Sequence, residues 1–176
     1  MTNLSLPNLL EEYAAAAAYS VGLVQALEPD QVQWRPNANS SAIAWHLGHQ
    51  GAVNHFMVRN LTAAEPTFDA NFDAVFDSAT AEADRGDLPP LDEILDYRSA
   101  ISASTTRIVT KINSGDVGAP DQLRFIATGM LLAIINHEYQ HAKWVGEVRS
   151  TMTDEPAPVP QSQRLAQIDG YYTLTS

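Results

Sequence analysis

The hydrophobic positions of this chain repeat with the period of a helix over most of its length. Apolar residues three and four positions apart predict four long helices, separated by proline, glycine and short polar clusters. These helices cover about residues 5–27, 41–61, 87–114 and 121–149. Alternating, strand-like patterns are confined to a few positions in residues 171–174. We therefore predict an all-α chain whose architecture is a four-helix bundle.

Two of the helices carry a clear apolar stripe, which gives a candidate core. In the first helix the stripe consists of Leu6, Leu10, Tyr13, Ala17, Val21 and Val24. In the third helix it consists of Leu91, Ile94, Arg98, Ile101, Thr105, Ile108 and Ile112. Both sets recur at helical spacing, so each is expected to face the interior of the bundle.

The segment between the second and third helices, residues 62–86, is long for a bundle loop. A helix of about 21 residues is about 31 Å long, and an extended segment of this length spans that distance easily. We therefore expect helices two and three to run parallel, joined by a crossover. Phe68, Phe72 and Phe76 recur every four residues within it, which predicts a short amphipathic helix laid over the bundle.

The bundle is predicted to form one domain over residues 1–155, followed by a proline-rich tail over residues 156–176. Pro156, Pro158 and Pro160 make the start of this tail stiff and extended. A short helix over residues 163–168 is expected after them.

Charge and composition exclude several classes of function. The chain has 10 Lys+Arg against 21 Asp+Glu, a formal net charge of -11, which is opposite to what binding to nucleic acid or an anionic membrane requires. It has no cysteine, so a disulfide framework and a thiol nucleophile are both excluded. No signal-peptide pattern or membrane-spanning apolar run is seen. A cytoplasmic protein is the expectation.

The five histidines carry the strongest chemical signal. His137 and His141 stand four residues apart in an apolar stretch, so on a helix they project from one face and can share a metal ion. A catalytic zinc normally takes three protein ligands, and the other histidines all lie on helix two. His49 is central to its apolar face; His46, about 60° away, could border the same site, and His55, about 120° away, is expected to face solvent or a neighbouring subunit.

Residues 137–141 also spell the H-E-x-x-H signature of zinc proteases, in which the glutamate is the general base. Trp144 and Glu147 stand where one protease class needs a glycine and a third histidine. Another class needs a ligand carboxylate on a following helix, but prolines break the chain after Arg149. We therefore expect Glu138 to be a solvated or supporting carboxylate, with a metallopeptidase as an alternative.

Three motifs resemble those of the DinB-like (DNA-damage-inducible) superfamily of bacterial helical-bundle metalloproteins over about residues 5–149. They are Trp34-Arg35-Pro36, then Ser41-Ala42-Ile43-Ala44-Trp45-His46-Leu47-Gly48-His49, then His137-Glu138-Tyr139-Gln140-His141. The resemblance implies an up-down-down-up bundle in which His49, His137 and His141 hold a divalent metal, zinc or nickel, with His46 as the alternative register. Many members continue with Gly-Gln where this chain has Ala142-Lys143, which puts the role of that glutamine in doubt here.

The resemblance also implies a class of function. Characterised members are thiol-dependent transferases or isomerases that use low-molecular-weight thiols such as bacillithiol or mycothiol; some resemble hydrolases, and many form homodimers. We therefore expect a homodimeric, divalent-metal-dependent enzyme acting on a small molecule, either a thiol S-transferase or a related hydrolase. Glu138 and His46 are its candidate catalytic residues. A metal-binding stress-response or dimerisation module without turnover is the alternative.

Overall fold

In a computed structural model that describes residues 4–62, 65–79, 86–160, 162 and 164–174, the chain is mostly helical, as predicted. The described residues form α1 (Leu6–Gly22), α2 (Pro29–Gln33), α3 (Ile43–Thr62), α4 (Ala70–Val75), α5 (Leu91–Ser114), α6 (Pro120–Thr153), β1 (Leu165–Ile168) and β2 (Tyr171–Leu174). The four long helices correspond to the four that the hydrophobic period predicts.

The first helix is shorter than predicted. α1 ends at Gly22 rather than Leu27. Beyond Gly22, backbone hydrogen bonds join residues three apart instead of four, as in the bond from the Val24 N–H to the Val21 carbonyl. The short helix α2 then begins after its N-cap residue Glu28, whose backbone N–H donates to the Gln31 side chain at 2.9 Å. The sequence pattern gave no signal for α2, which occupies the connection to α3.

The ends of the later helices follow from proline and glycine. α5 begins at Leu91 because Pro90 occupies the N-cap position, and it ends before Gly115, whose φ of 83° lies in the left-handed region that glycine adopts readily. α6 extends past the predicted end at Arg149 to Thr153. Within the described part of the chain, none of the helices combines the length and apolar composition needed to cross a bilayer.

The long helices enclose two apolar clusters with a buried polar layer between them. α1 contacts α5 and α6, and α3 contacts the same two helices. One cluster lies around Leu9, Ile112 and Leu131, the other around Leu47 and Ile94. Hydrogen bonds between buried polar groups join all four long helices at the level between the two clusters.

The predicted core of α5 is confirmed, whereas that of α1 is partly wrong. Every stripe residue of α5 from Ile94 to Ile112 is buried. In α1 the predicted Leu10 and Ala17 are only half-buried, and the fully buried positions include Leu9 and Ser20. Because α1 packs against two helices and buries a serine, its interior face differs from the stripe of its apolar residues.

The crossover contains the short helix that its phenylalanines predict. Asp69 caps α4 by accepting hydrogen bonds from backbone N–H groups of the first turn. Phe76, at the C-cap of α4, is fully buried, while Phe68 remains half exposed. The Tyr97 hydroxyl of α5 donates to the Asp73 carboxylate at 2.5 Å, which attaches the crossover to α5.

The short helix predicted over residues 163–168 is wrong, because the described residues 165–168 form strand β1. β1 pairs antiparallel with β2, which covers the few strand-like positions at residues 171–174. Asp169 and Gly170 connect them with φ angles of 51° and 85°, the conformation of the two-residue turns that favour hairpins. The turn allows the two segments to pair as strands, and the few apolar residues at helical spacing before it do not form a helix.

The hairpin and the proline segment lie against α1 and α6 of their own chain. The Asn136 side chain donates to the Tyr172 carbonyl at 2.9 Å and accepts from the Tyr172 N–H at 2.7 Å. Arg164 forms an ion pair with Glu12 at 3.2 Å. At the proline segment, Ala157 approaches Gly146 so closely that a Cβ on that glycine would lie 2.6 Å from the alanine methyl.

Candidate metal centre

Three histidine side chains from two helices meet in the interior of the helical assembly. His49 comes from α3, and His137 and His141 come from successive turns of α6. One ring nitrogen from each lies within 4.8 Å of the other two. The ring centroids of His49 lie 5.2 Å from His137 and 4.9 Å from His141, and the α6 pair is separated by 4.4 Å. The structure therefore brings together the three residues that the sequence nominated as ligands.

The electrostatics of the cluster favour neutral imidazoles at His137 and His141. Burial, together with the nearby His49 and Arg98, lowers the pKa of His137 to about 4. Burial and the neighbouring histidines lower the pKa of His141 to about 2. A neutral imidazole offers a lone pair, which is the state that binds a metal. The donor set thus fits a divalent transition-metal ion, for which imidazole is a suitable ligand.

His49 is oriented by a backbone group of the crossover. Its Nδ1–H donates to the carbonyl oxygen of Phe76 at 2.7 Å. In a neutral imidazole this leaves the lone pair on Nε2. Metal-binding histidines typically donate their other ring N–H to a carbonyl or carboxylate, which fixes the tautomer and the ring orientation. This hydrogen bond thus prepares His49 to act as a ligand.

His46 lies beside the cluster, as its helical position predicted. Its Nδ1 is 3.0 Å from Nδ1 of His141, so one ring donates and the other accepts. Trp45 stacks on His49 with ring centroids 4.5 Å apart and an interplanar angle of 12°. Trp144 meets His141 edge-on, with centroids 4.8 Å apart. The two indoles restrict the movement of the imidazoles they contact.

A cleft of about 490 Å³ reaches the histidine cluster from the surface. His46, His49 and His141 contribute to its wall, so two members of the cluster border space that a small molecule can enter. The remaining lining residues are Asn39, Ser40, Ser41, Trp45, Ser78, Trp144, Glu147 and Val148. A second cavity of about 410 Å³ adjoins it through His49 and Ser78.

Glu138 points away from the cleft into the buried polar layer. Its carboxylate forms an ion pair with Arg98 at 3.0 Å and accepts a hydrogen bond from Ser20 at 3.2 Å. Gln50 donates both to Ser20 and to the Glu138 carbonyl, while Arg98 donates to Gln50. The carboxylate is 2 % exposed, so the expectation of a solvated side chain is wrong, while a supporting role remains consistent.

Sequence reasoning missed the partners of Glu138. Arg98 interrupts the apolar stripe of α5, and an arginine in such a stripe is the signal that a buried acid must lie opposite. Ser20 and Gln50 gave weaker signals, because short polar residues are common on both faces of helices. The buried layer therefore depends on four helices whose relative rotation the sequence alone did not determine.

The expectation for His55 is wrong. Its side chain is buried, at 4 % exposed, and its Nε2 accepts the N–H of Phe68 at 3.2 Å. The Phe68 ring also packs against the imidazole, with centroids 5.1 Å apart. The crossover covers this part of α3. The face of the helix that carries His55 is therefore in contact with the crossover and not with solvent.

Comparison with known proteins agrees with this architecture. A family model described as the DinB superfamily matches residues 12–145, more than half of the 176-residue chain. The matched region contains all five histidines, the crossover and the ion pair of Arg98 with Glu138. No curated protein matches the chain. From this match, together with a mostly helical fold and a buried histidine cluster that could hold a metal ion, we conclude that the chain belongs to the DinB superfamily.

Proposed function

We propose that this protein is a divalent-metal-dependent enzyme that acts on a small molecule, as a thiol S-transferase or a related hydrolase. The observation that carries the proposal is the cluster of three imidazoles beside a cleft. His49, His137 and His141 would hold the metal, with zinc or nickel as the favoured ions. When bound, the metal supplies Lewis-acid chemistry that lowers the pKa of a thiol or water.

The side chains around the cluster have separate tasks in this proposal. Trp45 and Trp144 form apolar walls of the cleft and limit the access of bulk water to the histidines. Ser40, Ser41 and Ser78 provide hydroxyl groups that can orient a polar substrate. His46, which lines the cleft and contacts His141, is the candidate for proton transfer to or from the substrate.

The surroundings of Glu138 argue against the peptidase alternative. A protease of this type needs its glutamate to reach a water at the metal. Here the carboxylate is engaged by Arg98 and Ser20 inside the helical assembly, and it does not line the cleft. We propose that Glu138 instead stabilises the helix that carries His137 and His141.

We also propose the up-down-down-up topology of DinB-like bundles for the four long helices. Its support is the order of their contacts. Between α3 and α5 the hydrogen-bonded pairs are Gln50–Arg98 and Asn54–Thr105, so residue numbers increase in the same direction along both helices. On α3 and α6, by contrast, His46 and His49 face His141 and His137, in reversed order.

Homodimerisation is a further part of the proposal. Phe125 is 83 % exposed and Ile126 is 50 % exposed on the first turns of α6, beside Met57 and Leu61. Apolar surface of this kind is typical of contacts between proteins. A homodimer through this face is consistent with the family resemblance.

An activity assay with small thiols and electrophiles tests the proposed enzyme. The zinc- or nickel-loaded protein is expected to accelerate loss of the free thiol, whereas His49→Ala and His141→Ala fall to the rate of the metal-free protein. His55→Gln is the matched control, because His55 is also buried on α3 but lies outside the cluster. Equal rates in the wild-type protein and the two cluster variants would rule out metal-dependent thiol transfer.

A further inference from the structure

The crossover contacts α3 beside the histidine cluster, at a glycine. The ring of Phe76 is fully buried and fills the space next to Gly48. A Cβ at position 48 would lie 2.2 Å from two atoms of that ring, far inside van der Waals contact. Protein interiors are close-packed and have no slack to absorb such an overlap. Only glycine at position 48 therefore lets Phe76 lie where it does.

The backbone of the same phenylalanine binds the next residue of α3. Its carbonyl oxygen accepts the Nδ1–H of His49 at 2.7 Å. The ring of Phe76 thus determines where the residue lies, and its carbonyl determines which nitrogen of His49 carries the proton. Because Gly48 and His49 are adjacent, the two contacts form one unit.

Other contacts hold the crossover in place independently of His49. The Tyr97 hydroxyl donates to Asp73, and the rings of Phe72 and Phe76 lie 5.0 Å and 6.5 Å from the Tyr97 ring. Nearer α3, the Phe68 N–H donates to His55. The Phe76 carbonyl is therefore a fixed acceptor to which His49 adapts.

We infer that Phe76 is a positioning residue of the metal site, which holds His49 as its Nδ1–H tautomer and so directs the Nε2 lone pair to the ion. Gly48 is required because it admits the ring. This inference rests on the proposed function, since it assigns a role to Phe76 through a proposed ligand. Partners that orient metal-binding histidines typically change metal affinity by about 10–100-fold when they are lost.

Gly48→Ala is the variant that tests this inference, because it moves the Phe76 ring without changing a histidine. Zinc affinity, measured by competition with a chelating indicator, is expected to fall by about 10–100-fold. Gly129→Ala on α6 is the matched control, since a Cβ there meets nothing within 4 Å and the affinity is expected to stay unchanged. Circular dichroism of both variants establishes that the helices are intact.

A second readout uses the metal-free protein. Two-bond nitrogen–proton correlations of the imidazole rings distinguish the two tautomers, and His49 is expected to be the Nδ1–H form in the wild-type protein. In Gly48→Ala this preference is expected to weaken. If that variant fails to fold, Phe76→Leu, with a smaller apolar side chain at the same position, is measured in the same two ways.

The outcomes separate this inference from the proposed function. If Gly48→Ala keeps both the zinc affinity and the His49 tautomer of the wild-type protein while His49→Ala loses zinc, the inference is overturned and the metal site stands. If the wild-type protein binds neither zinc nor nickel, the proposed function fails, and the tautomer in the metal-free protein alone decides the inference: a His49 that is not Nδ1–H overturns it.

Discussion

Two histidines on α3 use their rings in opposite ways. His49 donates from Nδ1 to the Phe76 carbonyl, whereas His55 accepts the Phe68 N–H through Nε2. Burial is the main cause that lowers the pKa of His55 below its ordinary value of 6.5, which keeps the ring neutral and able to accept. The same residue type therefore serves a candidate metal site at one position and the packing of the crossover at another.

The lowered pKa of His55 predicts a dependence of stability on pH. Well above pH 6.5 the ring is neutral in both the folded and the unfolded states, so its titration does not affect the free energy of unfolding there. As the pH falls below 6.5, the unfolded chain takes up a proton that the folded protein resists, and the free energy of unfolding decreases. His55→Gln keeps an acceptor for the Phe68 N–H and removes this titration.

Urea unfolding of the metal-free proteins at pH 7.5 and pH 5.5 measures the effect. The wild-type protein is expected to lose more free energy of unfolding between the two pH values than His55→Gln does. The comparison cancels the contributions of the other histidines, which both proteins share. An identical loss in the two proteins would show that His55 titrates normally.

At the residue level, spacing along the helices predicted which histidines lie together. The separation of His137 and His141 indicated that the two side chains can share a metal ion. The central position of His49 on the apolar face of α3 indicated that it lies near them. The prediction for His55 failed because helical direction says nothing of a distant segment that folds over the helix. Ser20 and Gln50 were missed because their partners lie on other helices.

At the level of the elements, one ion pair joins the helices that carry the histidine cluster to α5. Arg98 and Glu138 are both nearly inaccessible, with side-chain exposures of 6 % and 2 %. Arg98 also donates to the Leu47 carbonyl and to Gln50 of α3. A charge in such a place is stable only while its partner is present.

Arg98→Met is therefore expected to destabilise the fold strongly. The substitution leaves the Glu138 carboxylate buried without its cation, which typically costs about 3–5 kcal/mol. Arg124→Met is the control, because Arg124 pairs with Asp121 on an exposed surface and its loss is expected to cost at most about 1 kcal/mol. Urea denaturation of both variants measures the difference, and similar values would refute a structural role for the ion pair.

The long helices were predictable because each presents many apolar residues at helical spacing, so single exceptions do not obscure the period. Short elements depend on a few local contacts instead. α2 depends on the cap at Glu28, and the C-terminal hairpin depends on the turn at Asp169 and Gly170. In the hairpin, Asn136 of a distant helix also binds the backbone of Tyr172, a contact that no local pattern reveals.

At the scale of the whole molecule, the histidine cluster depends on the packing of three separate segments. α3 supplies His49, α6 supplies His137 and His141, and the crossover supplies the carbonyl of Phe76. The match to the DinB superfamily spans all three segments. The chain therefore has a preformed cluster of imidazoles, and metal binding is the property from which the proposed chemistry follows.

Equilibrium titration of the metal-free protein with zinc or nickel tests that property most directly. We expect one ion bound per chain and no change in affinity in His55→Gln. In His49→Ala, His137→Ala and His141→Ala, we expect the affinity to fall by more than about 100-fold, beyond the loss typical of supporting residues. Wild-type affinity in any of the three cluster variants, with the stoichiometry unchanged, would contradict the assignment of that histidine as a ligand. Wild-type affinity in all three would show that the histidine cluster is not the metal-binding site.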